Sequence, residues 1–404
     1  MKLARNHAVI TVALCFIVAL LEGVDIQSAG IAGPGIAAHF QLDKAEMGWV
    51  FSSSILGLLP GAFIGGLLAD RIGRKTVLIG SVLLFGAFSI VTSMAWDLPS
   101  LLSARFMTGL GLGAALPNLI ALSSESARET GRATAVSLMY CGVPLGGATA
   151  SLVAMLGGAE QWQLVFHVGG WAPIIVAPVL YFFLPESSSY QATTRSQNAQ
   201  PRTGIADGLF GRGQAMPTLL LWISCFFTLT VVYMLLNWLP TLLAGQGFSR
   251  SEVGTVQTLL NLGMASGSIL AGVLLDRWNA IKLVALIYGG MLLALLGLGV
   301  SASFVNMLIA GFIAGFFVLA AQLILYALAP QFYPSAIRAT GVGSAVAIGR
   351  LGSMSGPLIA GQMLASGTGV AGLMLAASPG ILAAAASVIV LLRREERKLA
   401  LRIA

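Results

Sequence analysis

About twelve stretches of this chain are each apolar for roughly the 20 residues that an α-helix needs to cross a bilayer. They run near 9–35, 46–69, 76–96, 99–122, 133–156, 162–184, 216–243, 251–275, 282–301, 303–329, 339–365 and 370–392. Inside hydrocarbon every backbone N–H and C=O must be satisfied within the segment, which leaves helices as the economical solution. Charged residues are only 9% of the chain, against roughly 25% in soluble domains. The 49 glycines suit helices packed closely in lipid. The expectation is an all-α membrane protein of twelve transmembrane helices.

Charge then orients the spans. With the N-terminus inside, 18 of the 22 Lys and Arg fall on the cytoplasmic side and only Lys44 and Arg250 outside. That asymmetry predicts cytoplasmic termini, an even number of spans and residence in a bilayer. It also accounts for the net charge of +7 without a nucleic-acid partner. The opening MKLARNHAVITVALCFIVALL imitates a secretion signal, but acids follow it, so it reads as an uncleaved first span. Cys15, Cys141 and Cys225 fall within spans and suggest small apolar fillers. His7, His39 and His167 lie on distant segments, and no nucleophile–base set accompanies them. The chain therefore reads as a non-enzyme that needs no cofactor or metal.

The sequence repeats at one offset. Asp70-Arg71 and Asp276-Arg277 are 206 positions apart, as are Arg132-Ala133-Thr134 and Arg338-Ala339-Thr340, and Ala121-Leu122 and Ala327-Leu328. A constant offset at three places predicts two parallel, pseudo-symmetric six-helix bundles, residues 1–186 and 216–404. The Ser-, Gln- and Arg-rich stretch 187–215 between them reads as a cytoplasmic linker.

Against this apolar background four interior charges stand out. Glu22 and Asp25 lie three apart in the first span, on one helical face. A carboxylate there costs about 2.5 kcal/mol or more, so it is expected to face a cavity, a partner or a proton path. By helical rise the two acids lie about 20–24 Å from the inner entry, and Arg105 about 9 Å from the outer one, so the levels overlap. Arg105 is expected to pair with Asp25 or Glu22. A permanent bridge joining spans one and four is the alternative, but it needs one acid and this chain has two. Arg350 is placed near the midplane, about 17 Å up its span. No acid on the C-terminal spans is available to neutralise it, so it suits a substrate carboxylate, gripped in two-pronged fashion. The alternative is capping of backbone carbonyls in a broken helix. Softer candidates for the site are Tyr233 and Asn237, with Trp238 beside them as site or interfacial-belt residue, then Gln257 and Asn261, and Gln322 and Tyr326.

Gly66-Leu-Leu-Ala-Asp70-Arg71-Ile-Gly73-Arg74-Lys75 resembles the signature loop of the major facilitator superfamily, G-x-L-A-D-R-x-G-R-K. Its second copy, Gly272 to Asn279, departs after Asp276-Arg277. The resemblance implies a gating loop, with Gly66, Asp70, Arg71, Gly73 and Arg74 joined by Arg132, Asp276, Arg277 and Arg338. An Asp suits a neighbouring helix N-terminus, and the basic residues suit Glu125 or Glu129. Leu21-Glu22-Gly23-Val24-Asp25, Arg105 to Asn118, and Tyr333 to Pro357 resemble the aromatic acid/proton symporters of that superfamily. Glu22 departs from the commoner Asp, and the Glu-Gly-x-Asp form is similar to that of bacterial carriers of 3-(3-hydroxyphenyl)propionate. Gly109-x-Gly111-x-Gly113 mimics a nucleotide loop, but no strand precedes it, so close helix packing is expected.

The resemblance implies a proton-coupled importer of an aromatic carboxylic acid, a hydroxyphenylpropionate or hydroxycinnamate, working by alternating access as a monomer in a bacterial inner membrane. Glu22 and Asp25 would carry the proton, and Arg350 with Arg105 the carboxylate. Open alternatives are an exporter, a carrier of another acid such as muconate, and a membrane sensor. A sensor is disfavoured by the lack of a soluble output domain.

Overall fold

The computed structural model describes residues 2–127, 132–157, 161–186, 209–211, 213–275, 277–301, 303–333 and 337–403. Every regular element among them is helical. The N-terminal half carries α1 (Lys2–Phe40), α2 (Lys44–Ile72), α3 (Arg74–Ser93), α4 (Leu98–Ser126), α5 (Arg132–Tyr140), α6 (Gly142–Leu156) and α7 (Gln163–Phe183). The C-terminal half carries α8 (Ala215–Gly245), α9 (Arg250–Leu275), α10 (Ala280–Val300), α11 (Phe304–Leu328), α12 (Arg338–Ala365), α13 (Val370–Ala376) and α14 (Ser378–Ile403). The expected linker lies mostly outside the described residues.

Eleven helical stretches are long and apolar enough to cross a membrane. The expected span 339–365 is a helix, α12, but it is not among the eleven. Its many Gly and Ser and the charge of Arg350 lower its hydropathy. Two expected spans are each built from two helices. Pro144 lacks the N–H that would bond Tyr140 and its ring crowds that carbonyl, which separates α5 from α6 at Cys141; Pro379 acts likewise on Leu375, between α13 and α14. Helix starts are chemically marked. Asp43 and Glu46 form a capping box on α2, and Asp97 and Ser100 one on α4. The bonds that the Asp97 carboxylate accepts from Ser100 hold its pKa below the ordinary value.

Grouped by Cα proximity, Met1–Ala199 and Asn237–Thr258 form one compact unit, and Gln200–Leu236 and Leu259–Ala404 a second. In the first, α2 packs on α4, α3 on α4 and α7, and α1 on α6. In the second, α10 packs on α11. Glycines set how near these helices come. A Cβ on Gly109 or Gly113 would collide with the α2 carbonyls of Ser54 or Leu58, and one on Gly111 with Phe85 of α3. The glycine ladder of α4 is thus a packing surface, and it clamps the helix that carries Arg105.

The repeat is physical as well as textual. A Cβ on Gly57 would strike the carbonyl of Phe106, and on Gly61 that of Leu110; Gly263 and Gly267 meet Phe312 and Phe316 in the same way. Gly109 meets Ser54 as Gly315 meets Leu260, and Gly146 meets Leu20 as Gly352 meets Phe226. Both members of all four contacts move by the same 206 positions.

Candidate functional site

In the first unit α1 and α4 bring Asp25 and Arg105 together. Arg105 Nη1 donates to Asp25 Oδ1 at 2.8 Å, and Nη2 to the Asp25 carbonyl oxygen at 3.4 Å. The side chains are 1% and 0% exposed. Such burial is tolerable because each charge neutralises the other. The Arg105 guanidinium also lies 5.5 Å from the centre of the Phe166 ring on α7, a cation–π contact. Asp25 Oδ2 and Arg105 Nε have no hydrogen-bond partner among the described residues. The pair therefore holds unspent capacity for a proton at one end and an acceptor at the other. Glu22, nearly one helical turn earlier on α1, is buried as well. Of the two acids it is Asp25 whose bond to Arg105 is seen.

In the second unit a different polar cluster forms around Arg350 of α12. Arg350 Nη1 donates to the phenol oxygen of Tyr233 on α8 at 2.8 Å. On α11, Gln322 Nε2 donates to Tyr326 Oη at 3.4 Å, and the Tyr326 phenol lies within electrostatic reach of Arg350. Tyr233 and Gln322 are buried, while Arg350 and Tyr326 keep partial exposure. A cation flanked by phenols and an amide is chemically suited to a carboxylate. Asn261 is fully buried in the same unit.

The remaining candidates belong to the first unit. Trp238 is 1% exposed and packs edge-on against Phe51, with ring centres 5.1 Å apart, so it is not an interfacial-belt residue. Asn237 and Gln257 are buried too. Gln257 Nε2 donates to Oε1 of Gln27 at 3.3 Å. Gln27 escaped notice in the sequence because a lone Gln near two acids carries little signal. Its register gives it away, since it stands 206 positions before Tyr233, the partner of Arg350.

At the expected gating loop, Gly73 is the single residue between α2 and α3. Its φ of 96° is open to glycine and strained for other residues. Arg74 pairs with Glu125 of α4. The N–H groups of Arg74 and Lys75 donate to Glu186 Oε1 at 2.9 and 3.1 Å, so an acid does occupy a helix N-terminus. That acid, Glu186, follows α7 and was not among the expected residues. Gly66 has open space where a Cβ would lie, and Arg71 and Arg277 are exposed. Asp276 and Glu129 lie outside the described residues, as do the side chains of Asp70, Arg132 and Arg338.

The chain is similar to known proteins in sequence and in fold. The profile of the Major Facilitator Superfamily matches residues 15–306 and 221–403. The chain is 57% identical to the 3-(3-hydroxy-phenyl)propionate transporter of Escherichia coli (strain K12), over 98% of this chain and 96% of that one. It is 33% identical to the 4-hydroxybenzoate transporter PcaK of Pseudomonas putida, over 88% and 86% of the two chains. Among solved structures, the inward open conformation of the xylose transporter XylE from E. coli superposes with a TM-score of 0.76 at 18% identity, covering 93% of this chain and 94% of that one.

Proposed function

The chain belongs to the Major Facilitator Superfamily, and from that premise we propose that it is a proton-coupled importer of an aromatic carboxylic acid, a hydroxyphenylpropionate or hydroxycinnamate. The protein is a multi-pass membrane transporter and not an enzyme. The observation that carries the coupling is the ion pair of Arg105 and Asp25, sealed from solvent with Glu22 nearly one turn away. The substrate class is supported by the names of the relatives, which join a ring hydroxyl to a carboxylate.

In this reading a proton reaches the Glu22/Asp25 pair and weakens the hold of Asp25 on Arg105. The substrate carboxylate binds Arg350, whose neighbours Tyr233 and Tyr326 add phenol contacts, with Gln322 orienting Tyr326. Asn237, Trp238, Gln257 and Asn261 are assigned to the walls of the path. Bundles 1–186 and 216–404 then expose the site alternately. The loop residues Gly66, Asp70, Arg71, Gly73 and Arg74, with Arg132, Asp276, Arg277 and Arg338, are assigned to the cytoplasmic gate. Both termini are placed in the cytoplasm of a bacterium, with the bundle in its inner membrane. One proton moving with one monoanion transfers no net charge; each further proton adds about 2.3 kcal/mol of drive per 100 mV.

The test is uptake of 3-(3-hydroxyphenyl)propionate into proteoliposomes under an imposed pH gradient. Asp25→Asn is expected to abolish gradient-driven accumulation while ligand-for-ligand exchange continues. Accumulation by the unaltered protein that ignores the gradient would remove the proton from the scheme. Loss of exchange as well, with unfolded protein, would reduce Asp25 to a structural role.

A further inference from the structure

We infer that the proton reaches Asp25 along the seam between α3 and α7, by way of His167, Ser93 and Ser89; this rests on the proton coupling proposed above. Three observations, all inside the first unit, lead there.

The first is a gap beside Asp25. Asp25 Oδ2 is the carboxylate oxygen that Arg105 does not bond, and it has no hydrogen-bond partner among the described residues. A Cβ on Gly169 of α7 would lie 3.8 Å from it, 3.4 Å from Ser89 Oγ of α3 and 3.5 Å from Val24 Cγ1. These are ordinary contact distances, so a group the size of a methyl or a water fits there without displacing a neighbour. Gly170 next door has no such room, since its Cβ would lie 2.5 Å from Ile90 Cγ1. Pro173 has no N–H to give the Gly169 carbonyl, so that oxygen lacks its helical partner at the same spot. A carboxylate oxygen, a hydroxyl and a carbonyl are the kind of partners that hold a buried water.

The second is a line of polar groups leading from the gap to the surface. Ser89 is fully buried, and its hydroxyl donates across the seam to the Phe166 carbonyl of α7 at 3.2 Å. Ser81 and Thr92 of the same helix instead turn their hydroxyls back onto carbonyls of α3 itself. Ser93 follows Ser89 by four residues, about 6 Å along one face of α3. Ser93 Oγ lies 3.5 Å from Nδ1 of His167, which is exposed near the start of α7. Hydroxyl and imidazole each give and accept protons. A proton taken up by His167 passes to Ser93 and, through water along the turn, to Ser89. Each group releases its own proton as it accepts the next, so no charge rests in the seam. The last transfer, through water in the Gly169 gap, neutralises Asp25 and weakens its bond to Arg105.

The third is the repeat. The counterparts of Ser89, Ser93, His167 and Gly169 are Leu295, Gly299, Leu373 and Leu375. None of these carries a side-chain donor or acceptor, and the counterpart of Asp25 is Val231. The crossing itself is shared, since α3 packs on α7 and α10 on α13. The polar line therefore stands only in the half that has an acid to protonate, and helix packing alone does not account for it.

The rival route is water entering from the substrate side, with the serines as packing residues. The experiment is the proteoliposome assay with 3-(3-hydroxyphenyl)propionate, read both as gradient-driven accumulation and as ligand-for-ligand exchange, which moves no net proton. Gly169→Ala fills the gap without a collision, and Ser89→Ala removes the hydroxyl. Each is expected to slow accumulation by roughly tenfold or more while exchange stays within about twofold. His167→Leu, at an exposed position, is expected to slow accumulation alone, and it carries the test should the buried variants fail to fold. Unchanged accumulation in folded variants overturns the inference, as does an equal fall in accumulation and exchange. Accumulation by the unaltered protein that ignores the gradient overturns the proton coupling as well.

Discussion

Where α1 crosses α6 in the N-terminal half, Gly146 admits the carbonyl of Leu20; where α8 crosses α12 in the C-terminal half, Gly352 admits that of Phe226. The frame is the same, but the chemistry hung on it is not. At the repeat positions of Asp25 and Arg105 stand Val231 and Gly311, so the C-terminal half lacks both members of the ion pair. The position of Glu22 is taken by Thr228, which bonds the buried phenol of Tyr288 at 2.8 Å. Conversely, Arg350 and Tyr326 stand where the first half has Pro144 and Ile120. The lesson concerns which sites change together. A buried charge survives only with its partner, so the pair is present in one half and absent from the other as a unit. Arg350, by contrast, is partly exposed and donates to the phenol of Tyr233.

The largest effect should therefore fall on the first half. Asp25→Ala leaves the Arg105 charge buried without its carboxylate, at an expected cost of about 3–5 kcal/mol. Arg350→Gln removes a charge-assisted bond to Tyr233 from a partly exposed site and should cost about 1.5–3 kcal/mol, less than the loss at Asp25. Thermal unfolding in detergent reads both. Equal losses would mean that Arg350 is as structurally committed as Arg105, and the contrast between the halves would fail.

The shared frame predicts the next effect. Gly146→Ala and Gly352→Ala force a methyl into the space of a carbonyl oxygen, and each is expected to cost about 1–3 kcal/mol by overpacking. The two costs should agree, since the contacts agree. A tolerated substitution in one half alone would show that its crossing relaxes where the other cannot.

How far the sequence announced this follows from the same contrast. Periodicity, span length and the offset of 206 are long-range patterns, and they located the long helices within a few residues. Arg105 was legible because a buried cation must find an acid, and only two lay at its level. What stayed hidden depends on side-chain reach. Glu186 sits just past a helix end, where sequence does not say which N-terminus it meets. Gln27 is neutral and solitary. Trp238 reads equally as a site or an interfacial-belt residue, and only its burial against Phe51 speaks against the belt. The breaks at Cys141 and Ala377 were signalled by Pro144 and Pro379, whose effect on a membrane helix depends on what re-satisfies the freed carbonyl.

The smallest effect tests where the frame has drifted. Gly73 and Asn279 are repeat counterparts, and each precedes the third long helix of its half. Gly73 turns the chain in one residue at φ 96°, whereas Asn279 has φ −62° and its side-chain oxygen accepts from Lys282 N at 3.1 Å. One half thus turns by backbone freedom and the other by a side-chain cap. Gly73→Ala is expected to cost about 1–2 kcal/mol, because positive φ crowds a Cβ. Asn279→Gly should cost only a few tenths of a kcal/mol, since glycine is itself an acceptable N-cap. Asn279→Ala should cost about 1 kcal/mol through loss of the cap. If Gly73→Ala unfolds no earlier than Asn279→Gly, the two turns are energetically alike, and the divergence of the second loop is one of sequence without a change in turn chemistry.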